Sequence, residues 1–357
     1  MERQQPIRVM IVEDSAVVRV LLEHIVNSDP RLQVASSVAR AEEAFDVLER
    51  ASVDIITMDI ELPGVDGYEA TKRIMATHPT PIVVVSAHVD ANQLTSSMNA
   101  LRAGALSVIE KPVGMTHSAY AQVTSGLCDQ LVSMSQVKVI RQRRLQAAAS
   151  EPPDVRQEAV VRASSQKGEY QTLGLVASTG GPNALVQVLR ALDQYFPLPI
   201  FLVQHITDCF LEGFVSWVAD ETGRDVQIFG SGEEIVGGRV YLAPPGKQLE
   251  VTRESARLTQ RPAGQQRSGT VLLQSMARSF KSEAIGVVLT GMGQDGAVGL
   301  KELHDSGGFT LAESEETAVV YGMPKVAVEL GAVCESLPLD RIGERIVELM
   351  PARSPVT

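Results

Sequence analysis

Three residues in the second half of the sequence have types that together perform nucleophilic attack on an acyl group. Ser178 directly follows the apolar run TLGLVA, His205 directly follows IFLVQ, and Asp295 lies in the glycine-rich turn after AIGVVLT. Such runs are typical of buried strands, and the carboxyl ends of parallel strands meet at one edge of a sheet. We therefore expect the three side chains to lie together. A serine beside an imidazole that a carboxylate orients is a nucleophile whatever the chain order.

The turns around these residues favour the same chemistry. Ser178 is followed by Thr-Gly-Gly-Pro, which predicts a tight turn into a helix, where backbone N–H groups favour developing negative charge. Glycines around Met292 let backbone amides approach an oxygen atom closely, so the Met292 amide is a candidate oxyanion donor. His205 is preferred to His304, which lies in an amphipathic helical pattern. Taken singly, each feature also has an ordinary structural interpretation, such as a turn or a helix N-cap.

A second group of polar residues follows the predicted strands of the first half. These strands end at Glu13 and Asp14, at Asp59, at Ser86 and at Lys111. Three carboxylates at one sheet edge repel one another and need a hard divalent cation such as Mg²⁺. A lysine and a hydroxyl on the far side would contact a phosphoryl group, with Asp59 as its candidate acceptor. One strand-end acid is more simply a helix N-cap, but five positions in this order favour phosphoryl chemistry.

Apolar runs alternate with helical periodicities along the chain, which predicts an α/β protein with two bodies. We expect an N-terminal flavodoxin-like (βα)5 domain and a C-terminal doubly wound, mostly parallel α/β domain. The composition of residues 141–169 predicts a solvated linker, which begins with a helical stretch at 134–147. The stretch 239–260 is predicted to be hairpin-like. The predicted strands are 7–13, 32–38, 54–58, 81–85, 105–109, 172–177, 199–204, 226–229, 239–243, 248–252, 284–290 and 309–312. The predicted helices are 15–27, 41–50, 66–77, 90–102, 116–134, 182–193, 211–221, 270–282, 295–306, 324–330 and 340–349.

The composition argues against several classes of protein. The chain has 357 residues and a formal net charge of −11 at pH 7, with a basic excess confined to residues 133–170. Attraction to nucleic acid or anionic lipid is therefore disfavoured. No apolar run approaches the ~20 residues that span a bilayer, and the start MERQQPIRVM predicts no signal peptide. The three cysteines are far apart and fit a reducing cytoplasm rather than a disulfide scaffold or a zinc cluster.

The first half resembles a response-regulator receiver domain. The resemblance covers residues 7–125 and lies in VMIVEDS (9–15), TMDIELPGVDGYEA (57–70), VVVSA (83–87) and EKP (110–112). It implies phosphorylation by a sensor histidine kinase with Mg²⁺ as cofactor. The residues that it implies are the phosphoacceptor Asp59, the Mg²⁺ ligands Glu13, Asp14, Asp59 and the backbone of Glu61, and the phosphate-sensing Ser86 and Lys111.

The second half resembles the catalytic domain of the chemotaxis protein-glutamate methylesterases, the CheB family. The shared motifs are VASTGGPNAL (176–185), LVQH (202–205), YLAPPGKQLEV (241–251), VVLTGMGQDGAVG (287–299) and VVYGMPKVAVELGAV (319–333). The resemblance implies Ser178 as nucleophile, His205 as base and Asp295 as the orienting carboxylate. Thr179 and the Met292 backbone match the supporting and oxyanion positions.

The sequence departs from the family pattern at three places. Ile206-Thr207 stands where the family usually has Met-Pro, and 267–270 stands where it usually has Pro-Ser-Val-Asp. Val108 occupies the aromatic switch position of many receivers. The first two departures lie near the expected substrate cleft.

Together the resemblances imply a phosphorylation-activated serine hydrolase. It would demethylate glutamate methyl esters and deamidate glutamines on methyl-accepting chemoreceptors, resetting receptor signalling in adaptation, with no cofactor for hydrolysis. The unphosphorylated receiver would obstruct the catalytic cleft. We expect a receiver domain at 1–130, a linker at 131–170 and a catalytic domain at 171–353, in a cytoplasmic protein that meets the membrane only through the receptor.

Three other functions are weighed against this one. A phospho-regulated signalling module with a catalytically silent hydrolase-like domain is the main alternative, because the segments at 206–209 and 267–270 are altered. A DNA-binding output is disfavoured by an acidic second half without a basic recognition helix. A dinucleotide-binding domain is disfavoured because neither glycine-rich turn has the full fingerprint.

Overall fold

The computed structural model describes residues 5–86, 98–112, 120–137, 139, 169–230, 232–261 and 268–351. The predicted helices at 90–102 and 116–134 are therefore described only from residues 98 and 120 onward. Most of the predicted linker, and of the helical start at 134–147, lies outside the described residues. The domain boundaries at 130 and 170 stay predictions.

The first half forms a five-stranded parallel sheet in the order β2-β1-β3-β4-β5. Alternate residues of β1 face opposite sides, Met10 toward one apolar cluster and Ile11 toward another. Helices cover both sides because both faces are apolar, as expected for parallel sheets. The strands are β1 Ile7–Val12, β2 Leu32–Val38, β3 Ile55–Met58, β4 Ile82–Ser86 and β5 Ser107–Glu110. The described helices are α1 Ala16–Ser28, α2 Ala41–Arg50, α3 Gly67–Thr77 and α4 Tyr120–Ser135, and residues 98–102 are also helical.

Side-chain caps help to start two of these helices. The Ser15 hydroxyl accepts a hydrogen bond from the Val18 amide at the start of α1. The Asp66 carboxylate accepts from the Glu69 amide, at 2.8 Å, at the start of α3. Each cap satisfies a backbone donor that has no partner within its helix. Helix α4 continues to Ser135, five residues into the range predicted as linker.

The second half contains a seven-stranded parallel sheet in the order β14-β13-β12-β6-β7-β9-β8. The central strand β6 is buried throughout, with Leu175 in the apolar cluster on one side and Val176 in that on the other. This confirms the doubly wound α/β prediction. The strands are β6 Thr172–Ala177, β7 Ile200–Gln204, β8 Val226–Ile228, β9 Val240–Leu242, β10 Lys247–Val251, β11 Ala256–Gln260, β12 Ala284–Val288, β13 Phe309–Glu313 and β14 Glu335–Leu337.

The helices of this half lie on both faces of the sheet. Helices α5 and α10 pack in one apolar cluster, while α7, α8 and α9 pack in the other. The helices are α5 Gly181–Ala191, α6 Leu211–Thr222, α7 Ser268–Ser279, α8 Ala297–Asp305, α9 Met323–Glu329 and α10 Leu339–Leu349.

The hairpin differs from the predicted one. The stretch 239–260 was expected to be hairpin-like, but β9 joins the parallel sheet between β7 and β8, and the hairpin is formed by β10 and β11 alone. The reason is burial: all three residues of β9 are buried, whereas β11 keeps no fully buried residue. The short strand β14 was not predicted, because none of its three residues is buried.

The two halves are in contact. The Asn183 side chain on α5 donates a hydrogen bond to the Leu101 carbonyl at 3.3 Å. Arg102 forms an ion pair with Glu221 at the end of α6. One apolar cluster also runs through residues of both halves. Within the described part of the chain, no helix combines the length and apolarity needed to cross a bilayer.

Candidate active site

Ser178 lies in a tight turn between strand β6 and helix α5. Its amide donates to the Thr290 carbonyl at 3.0 Å, and its carbonyl accepts from the Gly181 amide at 2.8 Å. Gly180 has a φ of 76°, a left-handed conformation that a residue with a side chain rarely adopts. The turn therefore holds the Ser178 backbone from both sides and leaves the residue partly exposed.

His205 follows strand β7 at the same edge of the sheet. Its Nε2 lies 2.8 Å from Oδ2 of Asp295. Its Nδ1 is buried, and no group in the described residues hydrogen-bonds to it. Because Asp295 occupies Nε2, Nδ1 is the ring nitrogen that remains to take a proton from a hydroxyl. This assignment is the reverse of the trypsin-type triad, in which the aspartate holds Nδ1.

Asp295 is held by donors from two helix starts. Its Oδ2 accepts from the Gly269 amide, and its Oδ1 accepts from the Thr270 amide, the Thr270 hydroxyl and the Gly296 amide, each at 2.8 Å. Burial raises the pKa of Asp295, but the hydrogen bonds from His205 and Thr270 outweigh burial and lower it overall. Asp295 is therefore an ionised carboxylate that can hold the His205 ring and stabilise its protonated form.

The turn after β12 supplies the other wall of the site. Thr290 accepts from the Ser178 amide through its carbonyl, and its hydroxyl donates to the Thr179 carbonyl at 2.9 Å. A side chain at Gly291 would place its Cβ only 2.6 Å from Cβ of Ser178, so only glycine fits there. The turn at Gly291 thus approaches the turn at Ser178 more closely than a side chain at position 291 would allow. Met292 follows Gly291 in the chain.

A cavity of about 730 Å³ is bounded by both halves of the chain. Ser178, His205 and Met292 line it from the second half, and Val108 and Leu127 line it from the first. Met292 is 40% exposed, and its sulfur lies 3.0 Å from the hydroxyl of Ser133 on α4. The receiver-like half therefore forms part of the wall around the serine and the histidine.

The acidic group of the first half also assembles. Ligand oxygens of Glu13, Asp14 and Asp59 lie within 4.8 Å of one another. Lys111 Nζ lies 2.8 Å from Oδ2 of Asp59 and 3.0 Å from Oε1 of Glu13. The Glu61 amide donates to Oδ1 of Asp59 at 3.2 Å, and the Ser86 carbonyl accepts from the Lys111 amide at 3.0 Å.

The electrostatics of this pocket favour a bound cation. Burial raises the pKa of Asp59, and burial together with the charge of Asp59 raises the pKa of Glu13. Burial lowers the pKa of Lys111, but its contacts with both carboxylates outweigh burial and raise it overall. Three carboxylates with a single lysine leave excess negative charge. These hard oxygen donors fit Mg²⁺.

Comparison with known proteins accounts for nearly the whole chain. The CheB methylesterase family model matches residues 173–346, and the response regulator receiver domain model matches residues 9–119. A protein of Paramagnetospirillum magneticum, named protein-glutamate methylesterase/protein-glutamine glutaminase 2, is 49% identical over 352 residues, which are 97% of this chain and 98% of that protein. The chain belongs to the CheB methylesterase family.

Other relatives cover similar lengths. The protein-glutamate methylesterase/protein-glutamine glutaminase of Nitrosospira multiformis is 38% identical over 97% of this chain and 98% of its own length. The crystal structure of the Thermotoga maritima CheB methylesterase catalytic domain is 32% identical, covers 51% of this chain and 99% of that chain, and has a TM-score of 0.47.

Gly269 and Thr270 are functional candidates that the sequence reasoning missed. They lie in the segment 267–270, which departs from the usual family pattern, and yet they supply three of the hydrogen bonds to Asp295. A Cβ at position 269 would lie 2.3 Å from Cγ1 of Val176. The available signal was a Ser-Gly-Thr start to the helix predicted from residue 270, since helix starts offer free amides to an anion.

The contacts of the Thr270 hydroxyl predict that it supports ester hydrolysis by this CheB-family chain. It donates to Oδ1 of Asp295 and accepts from the Gly296 amide at 2.9 Å. Thr270→Val removes both bonds but keeps the backbone bonds to Asp295, so we expect a fall in kcat of about tenfold. Steady-state ester hydrolysis measures it, with Thr252→Val in the exposed β10–β11 turn as the matched control. A kcat within twofold of wild type would mean that this hydroxyl does not support Asp295.

Proposed function

We propose that this chain is a phosphorylation-activated protein-glutamate methylesterase and protein-glutamine glutaminase acting on methyl-accepting chemoreceptors. The observation that carries the proposal is the His205–Asp295 pair, whose one remaining ring nitrogen is buried in the same cavity wall as Ser178. The names of the relatives support the same activity. They disfavour the alternative of a catalytically silent module.

Catalysis begins at the Ser178 hydroxyl. Nδ1 of His205 takes its proton while Oγ attacks the γ-carbonyl carbon of a glutamate methyl ester. Asp295 holds the proton on Nε2 and stabilises the imidazolium that forms. Methanol then leaves with the proton from Nδ1, and water hydrolyses the acyl-enzyme by the same steps. A glutamine side chain gives ammonia instead of methanol.

The oxyanion of the tetrahedral intermediate needs donors fixed before the reaction. The Met292 amide is the donor that we propose, because Met292 shares the cavity with Ser178 and follows Gly291, whose missing side chain lets the two turns meet. Thr179 supports the serine turn through its bond from the Thr290 hydroxyl.

Regulation rests on the acidic pocket. Asp59 accepts a phosphoryl group from a sensor histidine kinase, and Lys111 and Ser86 contact its oxygens. Glu13, Asp14, Asp59 and the Glu61 backbone would hold Mg²⁺, which neutralises the charge of the transferred phosphoryl group when bound. In the structure Lys111 hydrogen-bonds to both Asp59 and Glu13. A phosphoryl group on Asp59 would compete with these two carboxylates for Lys111.

The receiver controls access to Ser178. The β5 residue Val108, at the switch position, lines the same cavity as Ser178, only three residues before Lys111. A shift of Lys111 toward a phosphoryl group therefore acts on a strand that forms the cavity wall. In the unphosphorylated state this wall restricts the approach of a substrate to Ser178.

Asp59→Asn tests this regulation. We expect the variant to keep the basal rate of methanol release but to lose all stimulation by acetyl phosphate with Mg²⁺, because the acceptor carboxylate is gone. Asp46→Asn on the exposed face of α2 is the control and should be stimulated like wild type. Chelation of Mg²⁺ should abolish the stimulation in wild type. Full stimulation of Asp59→Asn would place the phosphoacceptor elsewhere.

Methanol release from a methylated chemoreceptor tests the proposed activity. Wild type should release methanol, and release should rise with acetyl phosphate and Mg²⁺. Ammonia release from the same receptor with glutamine at the methylation sites tests the second activity. Absence of release from several receptors despite phosphorylation at Asp59 would favour the catalytically silent module.

A further inference from the structure

Gln204 lies where the strands that carry Ser178 and His205 stop pairing. It ends β7 and is the register partner of Ala177, which ends β6. The last backbone bond between the two strands runs from the His205 amide to the Ala177 carbonyl at 3.1 Å. Beyond this point no strand pairing fixes Ser178 relative to His205.

The Gln204 side chain bridges this gap. Its Nε2 donates to the Ser178 carbonyl at 2.8 Å and to the His205 carbonyl at 3.0 Å. One amide group thus donates both of its hydrogens to the backbone carbonyls of Ser178 and His205, the two residues that must exchange a proton. These contacts orient the amide, because only its nitrogen can donate to two carbonyl oxygens.

The other end of the amide is held in a closed space. Oε1 of Gln204 is buried and has no hydrogen-bond partner among the described residues. A Cβ at Gly181 would lie 2.1 Å from it, so the amide fits only because residue 181 lacks a side chain. A buried amide oxygen without a partner is unfavourable for folding. The amide is therefore kept in place by its two N–H donors and by the space that Gly181 leaves.

We propose that Gln204 is a positioning residue that sets the distance between the Ser178 hydroxyl and Nδ1 of His205. This inference rests on the proposed function and adds a residue to its machinery. Proton transfer from Ser178 depends on this distance, and a displacement of about 1 Å can cost 10²-fold in rate. Since the Gln204 amide is committed to backbone carbonyls, its loss should affect the chemical step rather than substrate binding.

Two variants test the inference. Gln204→Met has a similar length and cannot hydrogen-bond to the carbonyls, and Gln204→Glu keeps the shape but has no N–H donors. We expect kcat for ester hydrolysis to fall about 10- to 100-fold in both, with KM within twofold of wild type. Labelling of Ser178 by a fluorophosphonate should slow by the same factor and still reach one label per chain. Gln187→Met, exposed on α5, is the control.

The end point of labelling separates positioning from structural damage. Damage would leave a fraction of the chains unlabelled while the rest react at the wild-type rate, and that result would overturn the inference. So would a kcat within twofold of wild type in both variants. If Gln204→Met does not fold, Gln204→Glu carries the same expectation. A wild type that neither hydrolyses esters nor labels at Ser178 would instead contradict the proposed function itself.

Discussion

Ser178→Ala is expected to lower kcat for methyl-ester hydrolysis by about 10⁵- to 10⁶-fold. The substitution removes only the hydroxyl, because the bonds that hold the turn come from the Ser178 backbone, to the Thr290 carbonyl and from the Gly181 amide. The fold should therefore persist while the covalent route is lost. Residual hydrolysis would come from substrate binding and oxyanion stabilisation alone.

Methanol release under saturating substrate measures this effect. Ser255→Ala, in the exposed turn between β10 and β11, is the matched control and should retain the wild-type rate. Acetyl phosphate should still phosphorylate Asp59 in the Ser178→Ala variant, which shows that the receiver is intact. Turnover within tenfold of wild type would mean that Ser178 is not the nucleophile.

Asp295→Asn should lower kcat by about 10⁴-fold, although it changes few atoms. Both carboxylate oxygens accept N–H groups, so the NH2 of asparagine meets a donor in either orientation. An NH2 next to Nε2 of His205 would force the ring proton onto Nδ1. That nitrogen could then no longer take the proton of Ser178, and the base would be lost.

The Asp295→Asn substitution should lower kcat more than it changes KM. Asp295 is buried behind His205 and does not line the cavity. Asp220→Asn, exposed on α6, is the control for loss of one negative charge. Retention of a tenth or more of the wild-type kcat by Asp295→Asn would show that another group orients the imidazole.

The sequence predicted which residues meet but not how they bond. Strand ends placed Ser178 and His205 at one edge, since a parallel sheet aligns its carboxyl ends. The choice of ring nitrogen was not predictable, because it depends on the angle at which Asp295 approaches the imidazole. Trypsin-type triads would have suggested Nδ1 for the aspartate, whereas here it holds Nε2.

Support for Asp295 was also hidden from sequence reasoning. Gly269 and Thr270 are distant in sequence from Asp295, and a Ser-Gly-Thr helix start does not by itself indicate which carboxylate its donors will meet. The role of Gln204 was not predictable, since its contacts are with backbone carbonyls that carry no sequence signal. The hairpin was misplaced because β9 is as apolar as a central strand, and burial rather than turn spacing decided its pairing.

The most direct test of the account is the rate and location of covalent labelling by a fluorophosphonate on the intact chain. Peptide mass spectrometry should find one adduct, on Ser178, and labelling should accelerate when acetyl phosphate and Mg²⁺ are added. Acceleration should vanish in Asp59→Asn, and labelling should be slow in Asp295→Asn. An adduct on another residue, or a chain that releases methanol while Ser178 stays unlabelled, would contradict the assignment of the nucleophile.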